Sequence, residues 1–158
     1  MYRIGFSEDI HPVKVGRKLV LAGVEIPSPF GLYGHSDADV VAHAVAESIL
    51  GALALGDLGT HFPDNDPKYK GISSILLLNK VVEMMNDKGY KVNNVDVQVA
   101  CAYPKLSPHV LKMRESLAKA LETSVDNVSI KAMSFNKVGA IGKGEAIRAQ
   151  SVVLLINK

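Results

Sequence analysis

Apolar residues concentrate at the two ends of the chain, in Tyr2–Phe6 and in Ala149–Asn157 with its apolar run Val152–Ile156. This predicts a strand at each end of the chain. Lys18–Ile26 reads as a third strand, closed by the breakers Pro27 and Pro29. Ser36 with Asp39 three residues on matches a capping box, and an Ala-rich run follows. The spacing predicts a first helix beginning after Ser36 and reaching Leu55. Ile75, Leu78, Val82 and Met85 recur at helical spacing and predict a second helix over Ser74–Lys88, stopped by Gly89. Val95, Val97, Val99 and Cys101 alternate with polar or small residues, as in a strand buried on one face. Ser107-Pro108 opens another helix, carrying Val110, Met113, Leu117 and Leu121, and Val128, Ile130 and Ala132 alternate again. Strand, helix, strand in this order implies a right-handed crossover between parallel neighbours. The fold class is α/β, a sheet with helices stacked on it. Gly34–Asp37, Gly56–Gly71 and Lys137–Gly144 remain as loops, and they hold most of the polar residues that have no structural explanation.

The 158 residues suffice for one domain, expected to span 1–158. Apolar residues make up 47% and charged residues 22%, with a formal charge of +2 and no long Lys/Arg run, so no nucleic-acid partner is expected. Cys101 is the single cysteine, which excludes an intrachain disulfide. The first residues lack a basic-then-apolar signal pattern, and no apolar run reaches membrane-spanning length. The expected location is the bacterial cytoplasm, or a plastid-type organelle if a transit peptide was removed, with no membrane partner.

Asp9-Ile10-His11 places a carboxylate and an imidazole two residues apart, so on an extended segment they point the same way. His43 lies inside an apolar helical stretch, where a buried ring needs partners for both nitrogens. A metal ion would satisfy one nitrogen, and Asp39, one helical turn earlier, is a candidate acceptor for the other. Three N/O ligands with an open position describe a catalytic zinc site. Taken singly, Asp-x-His is a common pattern, and a helical histidine is more often a hydrogen-bonded core residue.

Several ordered motifs set these residues in context. They are Gly34-His35-Ser36-Asp37-Ala38-Asp39-Val40-Val41-Ala42-His43, Ala54-Leu55-Gly56-Asp57-Leu58-Gly59, and Phe62-Pro63-Asp64-Asn65-Asp66-Pro67. Asn94-Val95-Asp96, Pro104-Lys105, Pro108-His109, Ile130-Lys131-Ala132 and Gly142-Lys143-Gly144-Glu145 continue the series. Together with Asp9-Ile10-His11, they resemble the 2-C-methyl-D-erythritol 2,4-cyclodiphosphate synthase family over nearly the whole chain.

The resemblance implies a homotrimer, with a mixed four-stranded sheet and helices on one face of it in each subunit, and with active sites between subunits. The implied substrate is 4-diphosphocytidyl-2-C-methyl-D-erythritol 2-phosphate, whose 2-phosphate oxygen attacks the β-phosphorus and expels CMP. By the same resemblance Asp9, His11 and His43 hold zinc, and His35 and Ser36 hold the 2-phosphate. That position at a helix start also suits an anion. His35 and Ser134 are the implied catalytic pair. Asp57 and Gly59 match ribose contacts, while Phe62, Asp64 and Asp66 lie in a loop on the methylerythritol side. Cys101, Pro104, Lys105, Leu106 and Ser107 match the cytosine pocket, and Ala132 and Met133 are further implied substrate-binding residues.

Departures from the family pattern qualify this picture. Asn136 stands where the family has a glutamate that helps bind a second divalent ion, magnesium or manganese. An asparagine carbonyl can coordinate but lacks the charge, so a weakened second-metal site is expected. Ser7 and Glu8 alter the Gly-x-Gly-aromatic turn before Asp9. Ala140 and Lys143 replace an aromatic and an arginine of an axial cavity that holds isoprenoid diphosphates in relatives, and lysine loses the bidentate fork. Two other readings stand beside the synthase: a zinc phosphohydrolase using metal-bound water, and a trimer that binds CDP ligands without turning them over.

Overall fold

The computed structural model describes residues 1–158. Strand β1 covers Tyr2–Val15, well past the predicted Phe6. Beyond Gly5 its inward positions are Ser7, Asp9 and His11, so the hydrophobic alternation ends although the strand continues. The Asp-x-His pair therefore sits within a strand and not after one.

The predicted third strand is a hairpin, β2 (Leu19–Leu21) and β3 (Val24–Ile26), turning at Ala22-Gly23 with φ of 54° and 74°. Alanine is a poor signal for such a turn. Here the turn is held from a distance, because Ala22 N–H and Gly23 N–H donate to the Asp39 carboxylate at 2.9 and 2.7 Å. A three-residue strand, β4 (Phe30–Leu32), leads to helix α1 (Val40–Ala52). Asp39 is the N-cap of α1, its Oδ1 accepting from Val41 and Ala42 N–H. The helix thus starts later than the predicted Ser36 boundary, and the Ser36 hydroxyl accepts from Ala38 N–H instead.

The remaining elements are α2 (Leu58–His61), α3 (Ser74–Asp87), β5 (Tyr90–Ala100), α4 (Val110–Ala120), β6 (Val128–Met133), α5 (Gly139–Gly142) and β7 (Ala146–Asn157). Two of them, α2 and α5, lie within stretches expected to be loops. The sheet runs β4-β1-β7-β5-β6, antiparallel throughout except for the parallel pair β5/β6 that α4 connects. The four long strands are those implied by the resemblance, and β4 adds a short fifth at the edge beside Val13–Val15.

Helix α1 packs on β1 and β7, with α3 against it. Close packing depends on Gly5, because a Cβ there would lie 1.9 Å from the Ser48 carbonyl oxygen. Ser48 Oγ donates to the Val45 carbonyl and lies 3.0 Å from Ser151 Oγ, a satisfied polar pair between helix and sheet. The other face of the sheet carries only the four-residue α5, whose Ile141 packs on Ala100 and Ala146 at one end of it, and it leaves Ile4, Phe6, Ile10 and Val152 exposed. No helix is long and apolar enough to cross a membrane.

Asp39 is fully buried and accepts four backbone N–H groups, joining the hairpin turn to the start of α1. Burial, with the nearby charge of Asp37, pushes its pKa up to about 6, against the N–H donors of Ala42, Gly23 and Ala22. In Asp39→Asn an amide N–H faces one of these backbone donors. The expected cost is about 2–4 kcal/mol in urea unfolding, and a change below about 0.5 kcal/mol would contradict this role.

Candidate metal centre and substrate pockets

Asp9 and His11 share the inward face of β1, and His43 reaches them from the first turn of α1. Asp9 Oδ2 lies 3.1 Å from His11 Nε2 and 3.1 Å from His43 Nδ1. The three ligand atoms fall within 4.8 Å of one another. Gly34 admits this geometry, since a Cβ there would meet His11 Cε1 at 3.1 Å.

The outer hydrogen bonds decide what each ring presents to the centre. His11 Nδ1 lies 2.6 Å from the Tyr33 carbonyl oxygen. A carbonyl only accepts, so Nδ1 carries the proton and Nε2 faces Asp9 as a lone pair. His43 Nε2 lies 2.8 Å from Ser74 Oγ, and that hydroxyl donates to the Asp37 carboxylate. Its single proton is spent on Asp37, so Ser74 must accept from His43 Nε2–H, leaving the Nδ1 lone pair toward Asp9. Two lone pairs thus point at one carboxylate oxygen. Such a cluster repels itself unless a cation or a ring proton lies among the three atoms.

The ionisation of these groups follows. With ring protons in the place of a cation, burial opposes the charge on Asp9, but hydrogen bonds from the protonated His11 and His43 rings and their charges outweigh it and hold the carboxyl well below its usual range. The hydrogen bond to Asp9 raises the pKa of His11. Burial pulls His43 down, and the hydrogen bond to Asp9 with the charges of Asp9 and Asp39 turns the net shift upward. Two imidazole nitrogens and a carboxylate oxygen, with an acceptor behind each ring, fit a divalent transition metal.

The Asp39 carboxylate does not hydrogen-bond to the His43 ring; its oxygens are taken by the backbone donors described above, and Ser74 fills that place. For the same reason the leading N–H groups of α1 at Val41 and Ala42 are not open to an anion. Ser36, 7% exposed, directs its hydroxyl toward His43 Nε2 at 3.3 Å, and Arg17 braces the segment by donating to the Gly34 and Ser36 carbonyls.

A cavity of about 260 Å³ opens on the triad, lined also by His35, Ser36, Gly59, Phe62 and Asp64. Sequence reasoning missed Glu47, Tyr69, Ile72 and Leu77 on its wall. Glu47 had a usable signal, being the acidic residue one turn after His43 on an otherwise apolar helix. Asp57 lies off the cavity wall, its Oδ1 accepting from Thr60 N–H and Oγ1–H. Asp66 also lies off it and caps the turn Pro67–Tyr69.

A second cavity of about 390 Å³ is lined by Cys101, Lys105, Leu106, Ser107, Ala132, Met133 and Ser134. It shares no lining residue with the first. Burial pushes the Cys101 thiol up to about 11, in keeping with a wall residue and not a thiolate. Pro104 is buried behind it, its carbonyl 3.5 Å from Cys101 Sγ. Ser134 and Asn136 line a third hollow, with Lys137 and Gly142. Phe135, Asn136 and Lys137 all have positive φ, a conformation that asparagine tolerates better than glutamate. Ala140 and Lys143 are exposed and line none of these hollows.

The chain matches the model of the YgbB family over residues 2–156. It is 54% identical to the 2-C-methyl-D-erythritol 2,4-cyclodiphosphate synthase of Brachyspira hyodysenteriae, covering 97% of both chains. Identity to the enzyme of that name from Desulfitobacterium hafniense is 48%, over 99% of both. The IspF of Plasmodium falciparum, solved as a CDP complex, superposes with a TM-score of 0.88 at 34% identity, covering 99% of this chain and 97% of that one. The bifunctional IspDF of Campylobacter jejuni superposes with a TM-score of 0.96 at 35% identity, and this chain spans 43% of it. End-to-end similarity of sequence, together with a matching backbone, makes this chain a member of the YgbB family, that of the 2-C-methyl-D-erythritol 2,4-cyclodiphosphate synthases.

Proposed function

We propose that the protein is a lyase that converts 4-diphosphocytidyl-2-C-methyl-D-erythritol 2-phosphate to the 2,4-cyclodiphosphate and CMP. The observation that carries this reading is the Asp9–His11–His43 cluster, set in a polar cavity in a chain whose end-to-end relatives bear that synthase's name. Asp9, His11 and His43 are the residues that would hold zinc, which supplies a Lewis acid beside the phosphate oxygens when bound.

The substrate carries its own nucleophile, so the protein's work is positioning and charge control. His35 and Ser36 are assigned to the 2-phosphate, from the same cavity wall as the triad. Phe62 and Asp64 enclose the methylerythritol side. Asp57 has Oδ2 free for ribose hydroxyls, because only Oδ1 serves Thr60, and Gly59 admits a close approach. The walls around Cys101 and Lys105 receive the cytosine, and Ser134 is the hydroxyl assigned to the diphosphate. Glu47, on the triad cavity, accepts hydrogen bonds on both oxygens and is not poised to activate water.

The two cavities share no lining residue, and copies of the chain that combine could bring them together in one site. The sheet face opposite α1, with Ile4, Phe6, Ile10 and Val152 exposed, is a surface that assembly would cover. A homotrimer with sites between subunits accounts for both features. One domain of residues 1–158 per subunit, acting in the cytoplasm of a bacterium, completes the proposal. A second cation, magnesium or manganese, belongs near Asn136 and is held weakly there.

Incubation with the substrate is expected to release CMP and the cyclic diphosphate in equal amounts. His43→Ala should lose more than the ten- to hundredfold typical of an outer hydrogen-bond partner. Acyclic phosphates would point to hydrolysis, and absence of CMP to a binding protein. Ser74→Ala should weaken zinc binding by roughly 10–100-fold in chelator competition, and unchanged affinity would contradict the assigned His43 tautomer. Asn136→Glu, or Asn136→Asp to spare the left-handed backbone, should lower the magnesium concentration giving half-maximal rate. If that concentration does not fall, Asn136 does not weaken the second site.

A further inference from the structure

Three carboxylates line the triad cavity: Asp9, Glu47 and Asp64. Only Glu47 has each oxygen taken by a separate protein donor outside the triad. Its Oε2 accepts from Ser7 Oγ at 3.0 Å and its Oε1 from Leu58 N–H at 3.2 Å. Ser7 sits on the inward face of β1 one position before Asp9 on that face. Leu58 begins α2, between Asp57 and Gly59. One carboxylate on α1 therefore bridges the strand that carries two triad residues and the segment assigned to the ribose.

Leu58 packs on the core beside Leu55 and Phe62, but the segment has few other hydrogen-bonded anchors. Asp57 spends Oδ1 on Thr60, and Phe62 N–H returns to the Leu58 carbonyl, so both bonds are internal to the turn. The Leu58–Glu47 bond is the only hydrogen bond joining Gly56–Gly59 to a residue beyond the neighbouring turns. A four-residue helix has no stability of its own, so its placement depends on the packing of Leu58 on the core and on the hydrogen bond that fixes its backbone. Ser7 is also where this chain departs from the glycine of the family pattern, and a glycine could not make the bond to Glu47.

We infer that Glu47, held in its rotamer by Ser7, is a positioning residue that sets Asp57–Gly59 relative to the triad and thereby the affinity for the CDP portion of the substrate. The inference rests on the proposed ribose role of Asp57 and Gly59. Glu47 works by geometry and not by charge. A glutamine can accept from Leu58 N–H through its carbonyl oxygen and donate to Ser7 Oγ through its amide, which preserves the bridge. An alanine removes both bonds.

The test uses the full chain loaded with zinc, and measures CDP binding by calorimetry, KM and kcat by CMP release, and zinc affinity by chelator competition. Glu47→Ala is expected to weaken CDP binding and raise KM by roughly tenfold, with kcat changed by less than about threefold and zinc affinity unchanged. Glu47→Gln should stay within about twofold of the parent in all four quantities, and Ser7→Ala should fall between the two. Wild-type CDP affinity in Glu47→Ala would overturn the inference. So would a glutamine variant as weak as the alanine one, which would assign the effect to charge, or a parallel loss of zinc, which would assign it to the metal centre. If the parent protein neither binds CDP nor releases CMP, the underlying functional reading fails first, a result distinct from any variant difference.

Discussion

The fixed protonation of two imidazoles organises this molecule. The Tyr33 carbonyl claims the Nδ1 proton of His11, and the Ser74–Asp37 pair claims the Nε2 proton of His43. Each ring is left to present a lone pair beside Asp9 Oδ2. Electrostatics makes that cluster unfavourable when empty of positive charge, so it needs a metal ion or a ring proton among the three atoms. The backbone serves this arrangement. β1 supplies two ligands through its two-residue period, and α1 supplies the third at a distance that Gly5 fixes by letting helix meet strand without an intervening side chain.

Carboxylates of similar chemistry do different work here because of where their oxygens point. Asp39 is fully buried and spends itself on backbone donors, so it builds the hairpin and starts the helix. Asp37 orients Ser74, and through it a triad histidine. Glu47 spans strand and turn at the cavity wall. Asp9 alone is surrounded by imidazoles, and they keep it ionised against the pull of burial. A charge in a protein takes its role from its partners, and these partners come from residues far apart along the chain.

That explains what could be read in advance. Strands β5, β6 and β7 and helices α3 and α4 follow from local apolar periodicity, which survives wherever one face is buried against the core. The triad was legible through the family resemblance: Asp-x-His on an extended segment and a histidine in an apolar helix are common patterns singly, and the ordered motifs around them brought the three together. The hairpin at Ala22-Gly23 was not legible, because its stabilising acceptor lies on Asp39. The extension of β1 was hidden by Ser7, Asp9 and His11, polar residues facing inward because they line the site. Ser74 looked like an ordinary helix start, and only tertiary packing shows its hydroxyl between His43 and Asp37. The separation of the triad cavity from the Cys101–Ser107 cavity is likewise a property of the folded chain.

The claim that two neutral imidazoles and a carboxylate bind one metal ion is tested most directly by X-ray absorption at the zinc edge of the stoichiometrically loaded protein. The account predicts two imidazole nitrogens and carboxylate oxygen at roughly 2.0–2.2 Å, with no sulfur. Scattering from sulfur near 2.3 Å, or the signature of fewer than two imidazoles, would contradict it.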